Sequence, residues 1–370
     1  MKTKLLFATA VAFMLAASPA VAQEKKSKIV EDGGTGQYKA VMMSEPTLAT
    51  HTIFRPQDLK PFGKDKLLPI VIWGNGGCAN SPSGHINFLN EVASQGFLIV
   101  AIGVSDFERA EAPRPGQTGD MPRMPQMGGG MPQMGGGMPQ MGGGMPQMGG
   151  EMPQMGGGMP QMGGGMPQMG GGMPQMGGGM PQMGGGMPQM GGMMSMGDPA
   201  DLKKALEWAI SQNADKKSPY YQKLDVENIA AAGMSCGGLQ ALHMSDDARV
   251  KTILVMNSGY FNGGEDKASL NTMKAKSVIW ILGGPTDIAY NNGMDDFKQI
   301  EGKPAFVCNL DGVGHGGTYM RPNGGEYAIV ATAWLKWQLQ NNTEAGNMFT
   351  GEKCGLSQRE GWTVDKKNIK

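Results

Sequence analysis

Charge, aromatic rings, histidine and cysteine are all scarce in this chain. Of its 370 residues only 17% are charged and 6% aromatic, and there are four histidines and four cysteines. Its 32 Lys and Arg are matched by 32 Asp and Glu. A protein that neutralises a phosphate backbone needs a basic excess, so the balance argues against a nucleic-acid partner. Beyond the N-terminus no apolar run reaches about 18 residues, which excludes a membrane span. No CxxC pair and no Cys/His cluster at zinc spacing occurs, which argues against a structural zinc.

Glycine, proline and methionine are abundant, and they are concentrated. Residues 121–197 hold 24 of the 35 Met, 29 of the 61 Gly and 11 of the 24 Pro, with only Arg123 and Glu151 charged. Ten successive heptads of Met-Pro-Gln-Met-Gly-Gly-Gly begin at Met124, and two of them end instead in Glu151 and Met193. A proline and about three glycines per heptad oppose helix and strand, and no aromatic or β-branched residue is present to build a core, so disorder is expected. The plainest reading is an expanded linker. Thioethers are soft ligands, so Cu(I) or Ag(I) binding is the alternative for this insert. Oxidant scavenging through methionine sulfoxide is a third.

At the N-terminus, Met1-Lys2-Thr3-Lys4 precedes an apolar stretch from Leu5 to Ala17 and small residues at Ala20 and Ala22. This pattern predicts a secretory signal over residues 1–22, cleaved after Ala22, and places the protein in the periplasm or medium. Without the signal the chain carries 30 basic and 32 acidic groups, and 271 residues remain once the insert is removed as well. That is enough for one sizeable domain, divided by the insert into segments 23–120 and 198–370. In an oxidising compartment Cys78, Cys236, Cys308 and Cys354 are expected to pair, with three connectivities open.

Apolar runs and helical periodicity alternate along both segments. Strands are predicted at 38–43, 50–54, 67–73, 97–104, 229–232, 250–256, 278–282 and 305–310. Helices are predicted at 83–94, from Asp198 as cap to Gln212, at 237–244, and as an amphipathic closing helix at 326–339. Strands apolar throughout and alternating with helices imply an α/β domain with a mostly parallel sheet covered on both faces.

Chemistry concentrates at the ends of these strands. Gly233-Met234-Ser235-Cys236-Gly237 follows a strand and opens a helix, the context in which G-x-S-x-G forms a nucleophile elbow. A serine hydroxyl needs a base to take its proton. His315 follows the last parallel strand by a few residues and is the first choice, with His85 the alternative; His243, eight residues after Ser235 on the same helix, is read as structural, and His51 falls in an early strand. The imidazole in turn needs a carboxylate. Asp287, just beyond the strand 278–282, is the candidate, and Asp295 and Asp296 are alternatives read as opening a helix. An oxyanion would need preorganised donors: the backbone N–H of Cys236, and that of Gly77 or Cys78 in Gly74-Asn75-Gly76-Gly77-Cys78. Acyl transfer by such a set calls for no cofactor.

The order Ser235, Asp287, His315, each at a strand's C-terminal end, resembles the α/β-hydrolase superfamily over residues 36 to 341 apart from the insert. More narrowly, Gly283 to Ala289 and the loop around His315 resemble the dienelactone-hydrolase-like and cutinase-like secreted esterases, including bacterial polyester hydrolases. Trp73-Gly74-Asn75-Gly76 departs from the His-Gly start of many lipases, Cys236 departs from the polyester hydrolases, and a serine nucleophile departs from dienelactone hydrolase itself. The resemblance implies an α/β-hydrolase fold and a secreted carboxylesterase acting on an ester of unspecified acyl group. Its sheet order makes the strands leading to Cys78 and Cys236 neighbours. That implies a Cys78–Cys236 disulfide joining the two oxyanion loops, and by remainder a Cys308–Cys354 disulfide pinning the C-terminal tail.

Overall fold

A computed structural model describes residues 25–107 and 199–370. The signal-like residues 1–22, the repeats of 121–197 and the expected cap Asp198 lie outside these residues. Ten strands among the described residues form one sheet. In chain order the elements are β1 (Ser27–Lys28), β2 (Ala40–Ser44), β3 (His51–Pro56), β4 (Leu68–Gly74), α1 (Ile86–Ser94), β5 (Leu98–Ile102), α2 (Ala200–Ala214), β6 (Leu224–Met234), α3 (Cys236–His243), β7 (Val250–Met256), β8 (Ser277–Leu282), α4 (Tyr290–Gln299), β9 (Ala305–Leu310), α5 (Gly325–Gln340), α6 (Thr343–Gly346) and β10 (Trp362–Lys367). Sheet order is β1-β2-β3-β5-β4-β6-β7-β8-β9-β10. The strands from β5 to β9 in that order pair in parallel, while the pairings β1–β2, β2–β3 and β3–β5 on one side and β9–β10 on the other are antiparallel.

Successive residues of a strand point to opposite faces, and in the central strands both faces are covered. Ile70 and Ile72 of β4 join one core cluster with Leu206 of α2 and Leu242 of α3. Val71 and Trp73 join the other with Leu89 of α1 and Trp334 of α5. This double coverage is why the central strands read as continuous apolar runs. Their parallel pairing brings the C-terminal ends of β4, β6, β7, β8 and β9 to one edge, the edge of an open α/β sheet where ligands bind.

Two expectations are corrected, and one strand is added that the sequence reading did not contain. The closing helix α5 is not amphipathic: Tyr327, Val330, Trp334 and Leu335 are buried together with Thr332 and Ala333 on other sides, because the chain after α6 packs Phe349 onto Trp334 and Trp337, the latter pair stacked at 5.7 Å. Asp295 and Asp296 sit in the second half of α4, which begins at Tyr290. Finally, β10 carries too little apolar character to be recognised as a strand, yet it pairs with β9 from Trp362↔Leu310 to Lys367↔Ala305. No helix among the described residues is long and apolar enough to cross a membrane.

Candidate active site

β6 ends at Met234 and α3 begins at Cys236, so Ser235 alone makes the turn. Its backbone sits at φ 54° and ψ −119°, a sparsely populated combination that persists only where neighbours impose it. Here the Ser235 N–H donates to the Met256 carbonyl at 2.9 Å, and Ser258 Oγ donates to the Ser235 carbonyl at 2.7 Å. The flanking glycines are required by contact. A Cβ at Gly233 would lie 2.2 Å from the Gly237 oxygen, and one at Gly237 would lie 2.1 Å from the Gly74 carbonyl carbon.

The first N–H groups of a helix have no acceptor within it. In α3, Gly237 donates to the Asn75 carbonyl at 3.0 Å and Gly238 to the Ser235 carbonyl at 2.9 Å. The Cys236 N–H has no acceptor among the described residues and lies at the positive end of the helix dipole. Cys236 and Gly77 line the same cleft as Ser235 and His315. That cleft has a volume of about 270 Å³ and apolar walls from Leu239, Phe261, Ile288 and Ala289. Phe261 and Ile288 are 60% and 81% exposed, so the cleft presents apolar surface to solvent.

Asp287 follows β8 in a turn closed by its own N–H on the Gly284 carbonyl at 2.9 Å. Its carboxylate is buried and fully satisfied. Oδ1 accepts from His315 Nδ1 at 2.7 Å and from the Ala289 N–H at 2.9 Å, and Oδ2 from Asn257 Nδ2 at 2.7 Å and the Gly283 N–H at 3.1 Å. Burial by itself would raise the carboxyl pKa. The donors from His315, Ala289, Asn257 and Gly283 outweigh it and hold the group below its ordinary value. On the other side of the ring, His315 Nε2 lies 3.0 Å from Ser235 Oγ. An ionised carboxylate only accepts, so the ring proton belongs on Nδ1 and Nε2 accepts from the serine hydroxyl. Ser235, His315 and Asp287 thus form one hydrogen-bonded chain.

Sequence reasoning missed the residue that supports this chain from below. Asn257, fully buried one position past β7, holds Asp287 with its amide nitrogen, which also lies 3.2 Å from the Gly314 carbonyl and 3.1 Å from Tyr327 Oη. Its amide oxygen accepts from Tyr319 Oη at 2.6 Å. Burial raises the pKa of both phenols above the ordinary value, which keeps them neutral. One signal was available: a polar residue at the C-terminal end of an apolar strand, on the edge that carries Ser235 and Asp287.

The alternative residues lie elsewhere. His85 packs between Trp73 and Tyr319, at 5.3 and 4.9 Å between ring centroids, and burial lowers its pKa to about 4. His51 bridges Thr50 and the Asp201 carbonyl, and His243 packs edge-on against Tyr260. Asp295 and Asp296 both pair with Lys267 at 2.7 Å. Burial pushes the Asp296 carboxyl up to about 6, against the opposing pull of Lys267.

Cys78 and Cys236 are disulfide-bonded, with Cα atoms 5.2 Å apart. The expected Cys308–Cys354 bond is absent: both are buried free thiols. Cys308 Sγ donates to the Trp280 carbonyl at 3.5 Å, and burial raises its pKa. The tail is pinned instead by the backbone ladder of β10 on β9, in which Val364 sits opposite Cys308. Among the described residues no group of three or more His, Cys, Asp or Glu is placed to hold a metal ion; the methionines considered for Cu(I) or Ag(I) lie outside those residues. Neither a protein-family model nor a curated protein matches this chain.

Proposed function

We propose that this chain is an exported serine hydrolase of the α/β-hydrolase type that cleaves carboxylic esters through an acyl-enzyme. The observation that carries the reading is the chain from Ser235 Oγ through His315 to Asp287, with links of 3.0 and 2.7 Å, built on a strained strand-to-helix turn beside an unpaired helix N–H. In the first half-reaction Ser235 Oγ attacks the ester carbonyl while its proton passes to His315 Nε2. The negative charge that develops on the carbonyl oxygen falls to the N–H groups of Cys236 and Gly77. His315 then returns the proton to the departing alcohol, leaving the acyl group on Ser235. Water repeats the sequence from the other side, giving the acid and free serine. Asp287 stays ionised throughout, fixing the ring tautomer and stabilising the imidazolium. The apolar walls from Leu239, Phe261, Ile288 and Ala289 suit an apolar group on the ester.

Export rests on the signal-like pattern of residues 1–22 and on the Cys78–Cys236 disulfide. The test is a fluorophosphonate probe together with p-nitrophenyl esters of graded chain length, applied to the native protein and to Ser235→Ala. Labelling at Ser235 and turnover that both vanish in the variant are expected. Labelling at another serine, or turnover that survives the substitution, would remove the assignment.

A further inference from the structure

The loop that carries Gly77 is anchored at its base and nearly free at its tip. At the base, Asn75 is buried and gives its side-chain nitrogen to the carbonyls of Ala79 at 2.9 Å and Ile102 at 2.7 Å, while its side-chain oxygen accepts from Trp73 Nε1 at 3.0 Å. Gly77, Cys78, Ala79 and Asn80 are exposed. Gly77 has φ 60°, and no heavy atom lies within 4 Å of the place a Cβ would occupy on it. Cys78 follows in the same left-handed region at φ 49°, a conformation that a side-chain-bearing residue keeps only under constraint. The constraint is at hand: Cys78 is bonded to Cys236, the residue whose N–H is the other oxyanion donor.

We infer that the Cys78–Cys236 disulfide is a positioning device for transition-state stabilisation: it holds the Gly77 N–H on the same oxygen that the Cys236 N–H meets, and so makes turnover depend on the oxidised state of the protein. The inference rests on the serine-hydrolase reading. Asn75 leaves the loop base in place when the bond is open, and the apolar walls do not involve the bond, so ester binding survives. What is lost is an interaction made only as charge develops on the carbonyl oxygen. Opening the bond takes two electrons and two protons from a dithiol, which closes to its own cyclic disulfide; reoxidation reverses the step.

The experiment measures kcat and KM on one p-nitrophenyl ester for the oxidised protein, for the protein reduced with dithiothreitol and then reoxidised, and for the double variant Cys78→Ala/Cys236→Ala. Inhibition by a trifluoromethyl ketone, whose hemiketal carries the oxyanion, is measured alongside. Circular dichroism of each sample reports folding at the assay temperature. Expected are a loss in kcat of about 100-fold, KM within about twofold, a parallel loss of ketone affinity, and recovery on reoxidation. Unchanged kcat and ketone affinity in a folded reduced protein or double variant would overturn the inference, as would losses that track unfolding in both, which would make the bond a stability element. Absence of turnover and of Ser235 labelling in the oxidised protein would instead remove the hydrolase reading itself.

Discussion

The two walls of the candidate active-site cleft are held by different physics. On the wall of Ser235, position comes from backbone contact: Gly233 and Gly237 let β6, α3 and β4 approach to distances that a Cβ would forbid, and a covalent bond ties Cys236 to the oxyanion loop. On the wall of Asp287 and His315, position comes from a buried hydrogen-bond network centred on Asn257, with Tyr319 and Tyr327 behind it. The first wall is a steric and covalent device and tolerates almost no side-chain change. The second depends on every member keeping its partner, because a buried polar group left unpaired costs more than the bond gained by making it.

The largest test of this contrast is at the reacting groups. Ser235→Ala and His315→Ala should each lower kcat by about 10⁴- to 10⁶-fold, and Asp287→Asn by less than either, since Asp287 orients the ring and does not attack. Steady-state kinetics with circular dichroism checks this, and near-wild-type kcat in folded His315→Ala would require another base. Next comes the network wall. Asn257→Ala removes a donor to an ionised carboxylate, for which a loss of about 1.5–3 kcal/mol is expected. It should appear both as a kcat lowered roughly tenfold and as a lower chemical-denaturation midpoint. A stability loss with kcat intact would show that Asn257 packs the wall without tuning it.

Acid stability separates the His85 side of the oxyanion loop from the triad. Burial puts the His85 pKa near 4 in the native state, against about 6.5 in an unfolded chain. As pH falls through 6.5 the unfolded state takes the proton first, so native stability is lost progressively down to about pH 4, by roughly 3 kcal/mol. The His85→Phe variant keeps the ring between Trp73 and Tyr319 and has no proton to gain, so its denaturation midpoint should vary less with pH across that window. Equal slopes for the two proteins would place the acid sensitivity elsewhere.

The smallest effect on activity is expected from cutting the insert. Cys78 lies before it and Cys236 after it, 158 residues apart. The two described segments also pair directly through β4 and β6. Limited proteolysis between residues 108 and 198 should therefore give one band on a non-reducing gel, two after reduction, and unchanged turnover of a small ester. Separation of the pieces without reductant would contradict the disulfide. Loss of small-ester turnover on cutting would show that the insert serves the cleft.

Several features needed only local order. The largely apolar runs at 250–256 and 305–310 coincide with β7 and β9 because both faces of a central strand are covered, and covered faces favour apolar residues along most of the strand. The elbow around Ser235, and Asp287 and His315 as its partners, were legible because each follows an apolar strand within a few residues. β10 was not legible, since its partners are backbone groups of β9 and the Asp365-Lys366-Lys367 half of the strand carries no core signal. The fate of Cys308 and Cys354 was not legible either: pairing by remainder ignores that a β ladder already fixes the tail.

By itself the sequence determined the strand-helix alternation and singled out Ser235, Asp287 and His315 at the ends of strands, because period, glycine spacing and chain order express local sterics and burial. Tertiary structure decided between His315, the first choice, and His85 as the partner of Ser235, put Asn257 beneath Asp287, and left Cys308 and Cys354 unbonded. Those outcomes depend on distances between strands that are far apart in the chain, and only the folded sheet sets such distances.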